Sequence, residues 1–250
     1  MDDEVLKTNG LDIKDWDATI YRVMPISRFK GIVASGKMGL TRPALWDDPF
    51  ENFYLKCKVR ISKTEVASLR SISSRWYGQC WTKKRDSDAM WRIYSHKKNG
   101  LRVSTTIRRL FSAIYNEKEK FATLMYFIGE VEYAGRREIE DFIRRTPFTS
   151  LSFGGQAAPF ARTLCIKRPE FAHEDEVRLL IHDAEDKNPG DVLDVPFDPA
   201  KVLDSEVALD PRLDAAQFKA AKDDLERAGC TLRIIQSDLY KIDEMTIDLE

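Results

Sequence analysis

Two glutamates at the start of an apolar segment are the residues of this chain best suited to do chemistry. Glu174 and Glu176 precede residues 177–181, which are mainly β-branched or leucine and favour a strand. On an extended segment, side chains two positions apart project from the same face. Two carboxylates held at the end of a strand can stabilise positive charge that develops on a sugar carbon. The pair therefore predicts chemistry at an N-glycosidic bond, with a solvated acidic turn as the structural alternative.

A third charged residue follows at the same spacing. Arg178 shares the predicted face with both glutamates. A guanidinium beside a carboxylate keeps that carboxylate ionised. The same contact would also serve as a purely structural ion pair, so the spacing leaves both interpretations open.

The elements that must position these residues follow from the spacing of apolar, glycine and proline positions. Strands are predicted at residues 19–24, 38–41, 53–61, 78–82, 100–105, 128–133, 177–181, 192–197, 202–209 and 231–235. Helices are predicted at residues 25–36, 63–73, 88–95, 107–116, 137–145 and 214–228. Strands outnumber helices and do not alternate strictly with them, which favours an α+β fold over a doubly wound sheet. The sequence has no G-x-G-x-x-G motif, which disfavours a dinucleotide fold of the Rossmann type.

The length of 250 residues is enough for one sizeable core. Residues 1–17 are polar and are predicted to form a loosely held arm, which leaves residues 18–250 as a single domain. Residues 146–155 are rich in serine, threonine and glycine and are predicted to form a mobile loop.

Composition argues against several classes of protein. Lys and Arg number 40 and Asp and Glu 41, so the net charge of -1 provides no general attraction to nucleic acid or to anionic membranes. No apolar run approaches the ~20 residues that cross a bilayer, and the acidic N-terminus does not resemble a secretory signal. Four scattered cysteines favour reduced thiols and a cytoplasmic location. The three histidines are not spaced for a zinc site, and we predict no metal site.

Several short motifs recur in order along the chain. They are Tyr21-Arg22, the segment from Trp46 to Glu51, Cys80-Trp81-Thr82, Met90-Trp91 with Tyr94 and Gly100, Lys167-Arg168-Pro169, His173-Glu174-x-Glu176-x-Arg178, Leu209-Asp210-Pro211 and Ser237-Asp238-Leu239-Tyr240. Together they resemble a widespread bacterial family known only as a domain of unknown function. That resemblance implies no activity by itself.

A more distant resemblance rests on three features in order. They are the aromatic-arginine strand at residues 19–24, a helix that closes on Gly36, and a Glu-x-Glu-Val-x-Leu-Leu strand that starts at Glu174. This layout is similar to that of the ADP-ribosyltransferases, and the start of the chain resembles their DNA-targeting toxins. The resemblance implies an ADP-ribosyltransferase-like split β-sheet core with flanking helices. It also implies that NAD is the substrate and that a macromolecule, either a nucleic acid such as RNA or DNA or a protein, accepts the ADP-ribose.

The same resemblance assigns roles to individual residues. Glu176 is expected to stabilise the ribose as nicotinamide leaves, and Glu174 to take the proton of the incoming nucleophile. Arg22 is expected to grip the phosphates or the adjacent ribose of NAD, because a planar guanidinium can bond two phosphate oxygens. A salt-bridged strand arginine is the alternative. Tyr21 belongs to the expected NAD site, although alternation along the strand turns it to the other face.

A middle motif is expected to complete the pocket. At Trp81-Thr82, the indole would lie beside the nicotinamide ring and the hydroxyl of Thr82 would orient Glu176. Residues 149–152 have a more typical Ser-Thr composition and are an alternative for the same motif.

Two further aromatic residues, Trp91 and Tyr94, are also expected in the NAD site. Trp76, Trp81 and Trp91 are close together in sequence. Large rings that cluster in this way are also typical of a packed core.

Two other functions fit the sequence. Asp47, Asp48, Glu51 and the two glutamates of the late strand could hold Mg²⁺ in a metal-dependent nuclease. Basic stretches at residues 83–85, 96–98 and 136–145 would suit a non-enzymatic regulatory module that binds nucleic acid or protein. The resemblance to toxins implies instead a toxin or phage-defence effector whose protein partner is an antitoxin.

Overall fold

The computed structural model describes most of the chain. The described residues are 2–46, 48, 50–51, 53–60, 63–68, 74–116, 118, 124–145 and 157–242. The loop predicted at 146–155 and the alternative middle motif at 149–152 lie outside the described residues. Asp47 of the nuclease hypothesis also lies outside them.

Short strands and helices make up the described residues. The strands are β1 (Gly10–Leu11), β2 (Thr19–Pro25), β3 (Lys37–Thr41), β4 (Lys58–Arg60), β5 (Val66–Ser68), β6 (Trp76–Thr82), β7 (Gly100–Thr106), β8 (Leu124–Glu130), β9 (Glu132–Tyr133), β10 (Ile166–Lys167), β11 (Glu176–Asp183), β12 (Val192–Pro196), β13 (Glu206–Leu209) and β14 (Arg233–Gln236). The α-helices are α1 (Asp3–Asn9), α2 (Ile26–Ser35), α3 (Phe53–Lys56), α4 (Asp88–Tyr94), α5 (Ile107–Ile114), α6 (Arg136–Arg145), α7 (Ala158–Thr163), α8 (Pro199–Val202) and α9 (Ala215–Arg227). Two 3₁₀ helices span Pro43–Leu45 and Pro169–Glu174.

Ten of the described strands form one mixed sheet that divides beside β6. The main path runs β1-β8-β11-β6-β2-β7-β13-β14, and β3, with β12 at its outer edge, branches from β6. β6 meets β2 through one residue pair, Tyr21 with Thr82, and meets β3 through another, Thr41 with Gly78. Because both contacts are so short, β2 and β3 leave a cleft between them beside β6. The α+β class and the split sheet with flanking helices, which the sequence predicted, are confirmed.

β11 lies inside the sheet and carries one end of the cleft. It pairs antiparallel with β6 on one side and with β8 on the other. Val177, Leu179 and Ile181 are fully buried in the main core, while Leu180 packs in a second cluster on the opposite face. Because both faces of the strand are covered, its sequence is nearly continuously apolar.

The helix between β2 and β3 closes the other end of the cleft. Pro25 ends β2, and α2 begins at the next residue and buries Phe29 and Ile32. Gly36 ends α2 in the left-handed conformation, with φ of 62°. Glycine adopts this conformation without steric strain, so the chain can turn back at once into β3. The predicted strand-helix-strand unit is therefore present with nearly the expected bounds.

Two segments differ from the prediction. Residues 3–11 do not form a loosely held arm, because α1 buries Val5 and Leu6 and β1 pairs in parallel with β8. Val5, Leu6 and Leu11 are buried apolar residues in an otherwise polar segment, so composition alone did not predict the helix and the strand. Residues 53–56 form a helix where a strand was predicted, and β5 is a strand within the helix predicted at 63–73. Both of those elements are short, so their apolar periodicity was a weak signal.

Candidate functional site

The cleft where the sheet divides contains a cavity of about 440 Å³. This volume lies within the usual range for small-molecule sites. Seven of the eight residues predicted for the site line the cavity, namely Tyr21, Arg22, Trp81, Thr82, Tyr94, Glu174 and Glu176. The structure thus brings together residues from β2, β6, α4 and the start of β11. Their roles toward a substrate stay predictions.

The glutamate pair converges on one point by a different route from the one predicted. Glu176 is the first residue of β11, but Glu174 is the last residue of the 3₁₀ helix before it. Asp175 between them has a left-handed backbone, with φ of 44°. The prediction that both glutamates project from the same face of one strand is therefore wrong, because only Glu176 belongs to β11. Both carboxylates are nevertheless buried and contact the same cation.

That cation is Lys167, the last residue of β10, which the sequence analysis did not select. Its Nζ lies 2.8 Å from Glu51 Oε1, 2.6 Å from Glu174 Oε2 and 2.5 Å from Glu176 Oε1. The ammonium group donates hydrogen bonds to Glu174 and Glu176 and forms an ion pair with Glu51. The side chain is 6% exposed, so the ion pairs are shielded from water. The only sequence signal for it is its place in the Lys167-Arg168-Pro169 motif, whose chemical meaning was not evident.

Arg178 holds Glu176 from the opposite side. Its Nε donates to Glu176 Oε2 and its Nη2 to Glu51 Oε1, both at 2.8 Å. The remaining guanidinium nitrogen, Nη1, donates to the carbonyl oxygen of Leu164. The side chain is completely buried, and the ring of Trp46 lies 4.6 Å from its guanidinium carbon. The face that Arg178 was predicted to share with Glu176 is confirmed.

The surroundings give the two glutamates opposite protonation preferences. Burial alone would raise the pKa of Glu176, but the charge and hydrogen bonds of Arg178, with Lys167, hold that pKa well below its usual range. Burial and the neighbouring charge of Glu176 raise the pKa of Glu174 to about 8. At neutral pH the geometry therefore favours an ionised Glu176 beside a protonated Glu174.

Backbone contacts fix the positions of both carboxylates. The amide N–H of Glu176 donates to the hydroxyl oxygen of Tyr133 at 2.9 Å. The hydroxyl of Thr82 donates to the main-chain carbonyl of Glu174 and accepts the amide N–H of Lys84. Thr82 was expected to orient the carboxylate of Glu176. In the structure it holds the backbone of Glu174 instead.

Arg22 lies at the β2 side of the cavity and is the unsatisfied cation of the site. Its Nη1 is buried and has no hydrogen-bond partner among the described residues. Burial, together with the positive charge of Arg28, lowers the pKa of Arg22 to about 9. The salt-bridged strand arginine considered as the alternative is therefore absent from the described part of the chain. A guanidinium in this state is suited to receive an anionic ligand.

Some of the predicted aromatic residues line the cavity and others pack in the protein core. Tyr94 is 41% exposed and lines the cavity. Trp81 also lines it, but its indole is 2% exposed, packs in the main core and donates to Gln79 Oε1. Trp91 is not part of the cavity wall and packs with Val23 and Met90. The packed-core interpretation thus describes Trp91, and we leave it out of the proposed site.

Tyr21 lies at the point where β2 and β6 meet. It pairs with Thr82 across the two strands and lines the cavity. The guanidinium carbon of Arg102 lies 5.5 Å from its ring.

Within the described ranges, no group of three or more His, Cys, Asp or Glu side chains is arranged to hold a metal ion. Glu51, Glu174 and Glu176 do converge, but Nζ of Lys167 stands between them. Asp48 pairs with Arg168 at 3.0 Å. No helix among the described residues is long and apolar enough to cross a membrane.

Comparison with known proteins gives a family for part of the chain. Residues 90–179 match the family DUF2971, described as a protein of unknown function. The predicted resemblance to a family of unknown function is confirmed for that segment. No match is found among curated protein sequences.

Solved structures of DarT from Thermus sp. 2.9 are similar at low level. The complex with NAD⁺ has 12% identity and a TM-score of 0.39, and the match covers 90% of this chain and 98% of that chain. The complex with ADP-ribosylated ssDNA has the same identity and TM-score and covers 88% and 94%. The complex with carba-NAD⁺ has a TM-score of 0.38 at 12% identity and covers 89% and 97%. At these values the similarity assigns no activity to this chain.

Proposed function

We propose that this protein transfers ADP-ribose from NAD to a macromolecular acceptor. The observation that carries the proposal is a single cavity with two unlike ends. The carboxyl group of Glu176 is held by two cations at one end, and the unpaired guanidinium of Arg22 lies at the β2 side. NAD offers a diphosphate for the guanidinium and a positively charged N-glycosidic bond for the carboxylate.

Arg22 supports the diphosphate part of the proposal. A guanidinium whose buried Nη1 has no hydrogen-bond partner gains most from a ligand that supplies acceptor oxygens, because a charged hydrogen bond contributes about 1.5–3 kcal/mol. Arg28 also lines the cavity, so a second positive charge favours the same anion. Two like charges side by side are unfavourable without such a ligand.

Glu176 supports the bond-breaking step. As the glycosidic bond breaks, the bonding electron pair stays on the nicotinamide nitrogen. Nicotinamide is then neutral and leaves without needing a proton. Positive charge develops on the ribose carbon that it leaves. A carboxylate that is already fixed by Lys167 and Arg178 can oppose this charge without reorganising, which is the condition under which such electrostatic stabilisation is large.

Glu174 supports the transfer step. The acceptor atom forms a bond to the ribose carbon and must lose its proton. A carboxyl group whose pKa is raised toward neutrality can accept that proton in its ionised form and release it afterwards. Glu174 is thus assigned as the general base, and Glu176 as the group that stabilises the sugar.

We assign the acceptor to the mouth of the cavity and favour a nucleic acid. Leu45, Ile93 and Tyr94 line the cavity and are 54%, 51% and 41% exposed. The guanidinium carbon of Arg168, which pairs with the cavity-lining Asp48, lies 4.5 Å from the ring of the half-exposed Phe50. Unpaired bases stack on exposed aromatic rings and on arginine planes. We further propose a toxin or phage-defence effector role, with an antitoxin protein as its inhibitor.

Labelled NAD tests this proposal. The protein is incubated with NAD labelled in its adenylate half and with total cell lysate, and the labelled material is then treated separately with DNase, RNase and protease. We expect macromolecular label that a nuclease removes. Label that only protease removes would overturn the nucleic-acid acceptor, and an absence of label would overturn the transfer.

Thermal shift distinguishes this function from the nuclease. NAD at 100 times its dissociation constant should stabilise the fold by about 2.7 kcal/mol. Stabilisation by Mg²⁺ or Mn²⁺ but not by NAD would favour the nuclease instead. The ion pairs of Lys167 with the three carboxylates weigh against the nuclease, because Nζ occupies the position that a divalent cation would take.

A further inference from the structure

The role of Lys167 is not explained by the proposed chemistry of the two glutamates. Its ammonium group contacts Glu51, Glu174 and Glu176 at 2.8 Å or less, although Glu51 is far from the other two in sequence. It lies inside the protein, where lysine is rarely found unless it is paired. A surface lysine could not define the relative positions of three carboxylates in this way.

The charges of this cluster do not balance if every group is ionised. Glu51, Glu174 and Glu176 bring three carboxyl groups, and Lys167 and Arg178 bring two positive charges. Full ionisation would leave one uncompensated negative charge in a buried site, which is strongly unfavourable. One retained proton makes the cluster neutral.

Geometry identifies the carboxyl group that retains the proton. Arg178 contacts Glu51 and Glu176, so each of them has two cationic partners. Among the described residues, Glu174 has only Lys167 as an ionic partner. It is therefore the group that loses least by remaining neutral.

Lys167 itself is fixed from several directions. β10 pairs with β9, and the hydroxyl of Tyr133 in β9 receives the amide N–H of Glu176. The ring of Phe171 lies 4.6 Å from the ammonium group. These contacts hold the ammonium group in place among the three carboxylates.

We propose that Lys167 is a positioning residue that holds Glu51, Glu174 and Glu176 together on one ammonium group and so keeps one proton on Glu174 while Glu176 is ionised. It acts through the two glutamates. The consequence for catalysis rests on the proposed function, whereas the distribution of protons does not.

The proton distribution can be measured directly by ¹³C NMR titration of the glutamate side-chain carboxyl carbons. In the unaltered protein at pH 7 we expect Glu176 to be ionised and Glu174 to be protonated. In Lys167→Met only Arg178 remains, so charge balance requires a second proton on the three carboxyl groups, and we expect it on Glu51 or Glu176 because Arg178 contacts both. If Glu174 and Glu176 are both ionised at pH 7 in the unaltered protein, or if Lys167→Met adds no second proton to the three carboxyl groups, the proposal is wrong.

Variants separate this role from simple support of the fold. Lys167→Arg keeps the charge and is expected to keep the different protonation of the two glutamates, while Lys201→Met, whose side chain is 83% exposed, is the matched control and should change nothing. Should Lys167→Met not fold, the titration of the unaltered protein and of Lys167→Arg still decides the matter. Equal protonation of both glutamates in Lys167→Arg would contradict the proposal.

Activity supplies a second readout. We expect Lys167→Met to lower kcat for nicotinamide release about 10-fold at pH 7 and to shift the pH profile by about one unit, since one pKa unit corresponds to a tenfold change. KM for NAD should change less than about 3-fold, because Lys167 acts on the carboxyl groups and not on the diphosphate. An unaltered pH profile in an active Lys167→Met would overturn the catalytic part. An unaltered protein that releases no nicotinamide would instead contradict the proposed function and leave the titration to test Lys167.

Discussion

The two glutamates of the site have the same side chain but different partners. Glu176 lies between Lys167 and Arg178, whereas Glu174 contacts only Lys167 among the cations of the described chain. Together with burial and the charge of Glu176 next to Glu174, this difference separates an ionised group from a protonated one. Pairs of titratable groups whose surroundings move their pKa values apart are typical of acid–base sites.

The first prediction at this scale concerns Arg22. Arg22→Met removes the unpaired guanidinium, so KM for NAD should rise about 10-fold to 100-fold, in keeping with the loss of a charged hydrogen bond. kcat should change much less. Because a buried and unsatisfied charge is removed, the melting temperature without NAD should stay the same or rise.

The matched control for Arg22 is Arg227→Met, whose side chain is 77% exposed. It should leave KM and the melting temperature unchanged. An unaltered KM in Arg22→Met would contradict the assignment of the diphosphate to this guanidinium.

The second prediction concerns pH. If ionised Glu174 accepts the proton of the acceptor, transfer should increase as pH rises through about 8, where burial and the charge of Glu176 have moved its pKa. The stability of the fold changes with pH in the opposite direction. The folded state holds this proton above the ordinary pKa of 4.5, so the contribution of Glu174 to stability is complete below that value and is lost as pH rises through about 8. Glu174→Gln should flatten both profiles in kinetic and denaturation measurements, and an unchanged kinetic profile would refute the role of Glu174 as the base.

The sequence predicted the glutamate pair, Arg22 and Tyr94, because strand spacing and short motifs carry information along the chain. Lys167 and Trp46 stood out only as members of short motifs, and Glu51 only as such a member and as a ligand in the nuclease hypothesis, so their places in the ion-pair cluster were not predicted. They reach Glu176 and Arg178 only through the tertiary fold, and a lysine or glutamate in an unfamiliar motif is expected to be exposed.

At the scale of elements, the position of β6 against β11 depends on a glycine. A β-carbon on Gly78 would lie 2.5 Å from the ring of Trp46 and 3.0 Å from the side chain of Leu180. Trp46 in turn covers the guanidinium of Arg178. The small residue therefore lets an indole approach the sheet directly above the buried ion pairs.

This close approach gives a third prediction. Gly78→Ala should destabilise the fold by about 1–3 kcal/mol, as overpacking of a well-filled interior does. Gly31→Ala is the control, because nothing lies within 4 Å of its β-carbon position. That change in α2 should stabilise the protein by about 0.5–1 kcal/mol. Equal effects of the two substitutions in urea denaturation would contradict the packing described for Trp46.

Elements with strong periodicity or clear end signals were predicted well. α2 and α9 have nearly the expected bounds, since Gly36 ends the first and Asp214 caps the second with a reciprocal contact to Gln217. Shorter elements were missed or assigned to the wrong class. β5 has three residues and β1 has two, so neighbouring strands and not local propensity determine their structure.

At the scale of the whole molecule, one buried side chain joins three distant segments. Arg178 contacts Glu51, Glu176 and the carbonyl of Leu164. These residues belong to the segment after β3, to β11 and to the end of α7. The ion pairs therefore fix the relative positions of both walls of the cavity.

The fourth prediction follows from this linkage. Arg178→Met fills a similar volume but leaves two buried carboxylates with one cation fewer, which should cost about 3–5 kcal/mol of unfolding free energy. Arg136→Met removes an ion pair of a side chain that is 91% exposed and should cost less than about 0.5 kcal/mol. Chemical denaturation at pH 7 measures both values. A cost for Arg178→Met as small as that for Arg136→Met would contradict the structural role of the network.

The split of the sheet was expected from the resemblance to ADP-ribosyltransferases, but its cause was not visible in sequence. Single residue pairs join β6 to β2 and to β3, and such short contacts leave no periodic signal. The cavity exists because these two strands part beside β6. A ligand in this cleft would contact both halves of the sheet.

The central claim is that this cleft breaks the N-glycosidic bond of NAD with the help of Glu176. The most direct measurement is the rate of release of labelled nicotinamide from NAD by the unaltered protein, by Glu176→Gln and by the exposed control Glu226→Gln, with folding checked by circular dichroism. We predict release by the unaltered protein and by the control, and a loss of about 10²–10³-fold in Glu176→Gln. Equal rates in a folded Glu176→Gln, or no release by the unaltered protein, would contradict the claim.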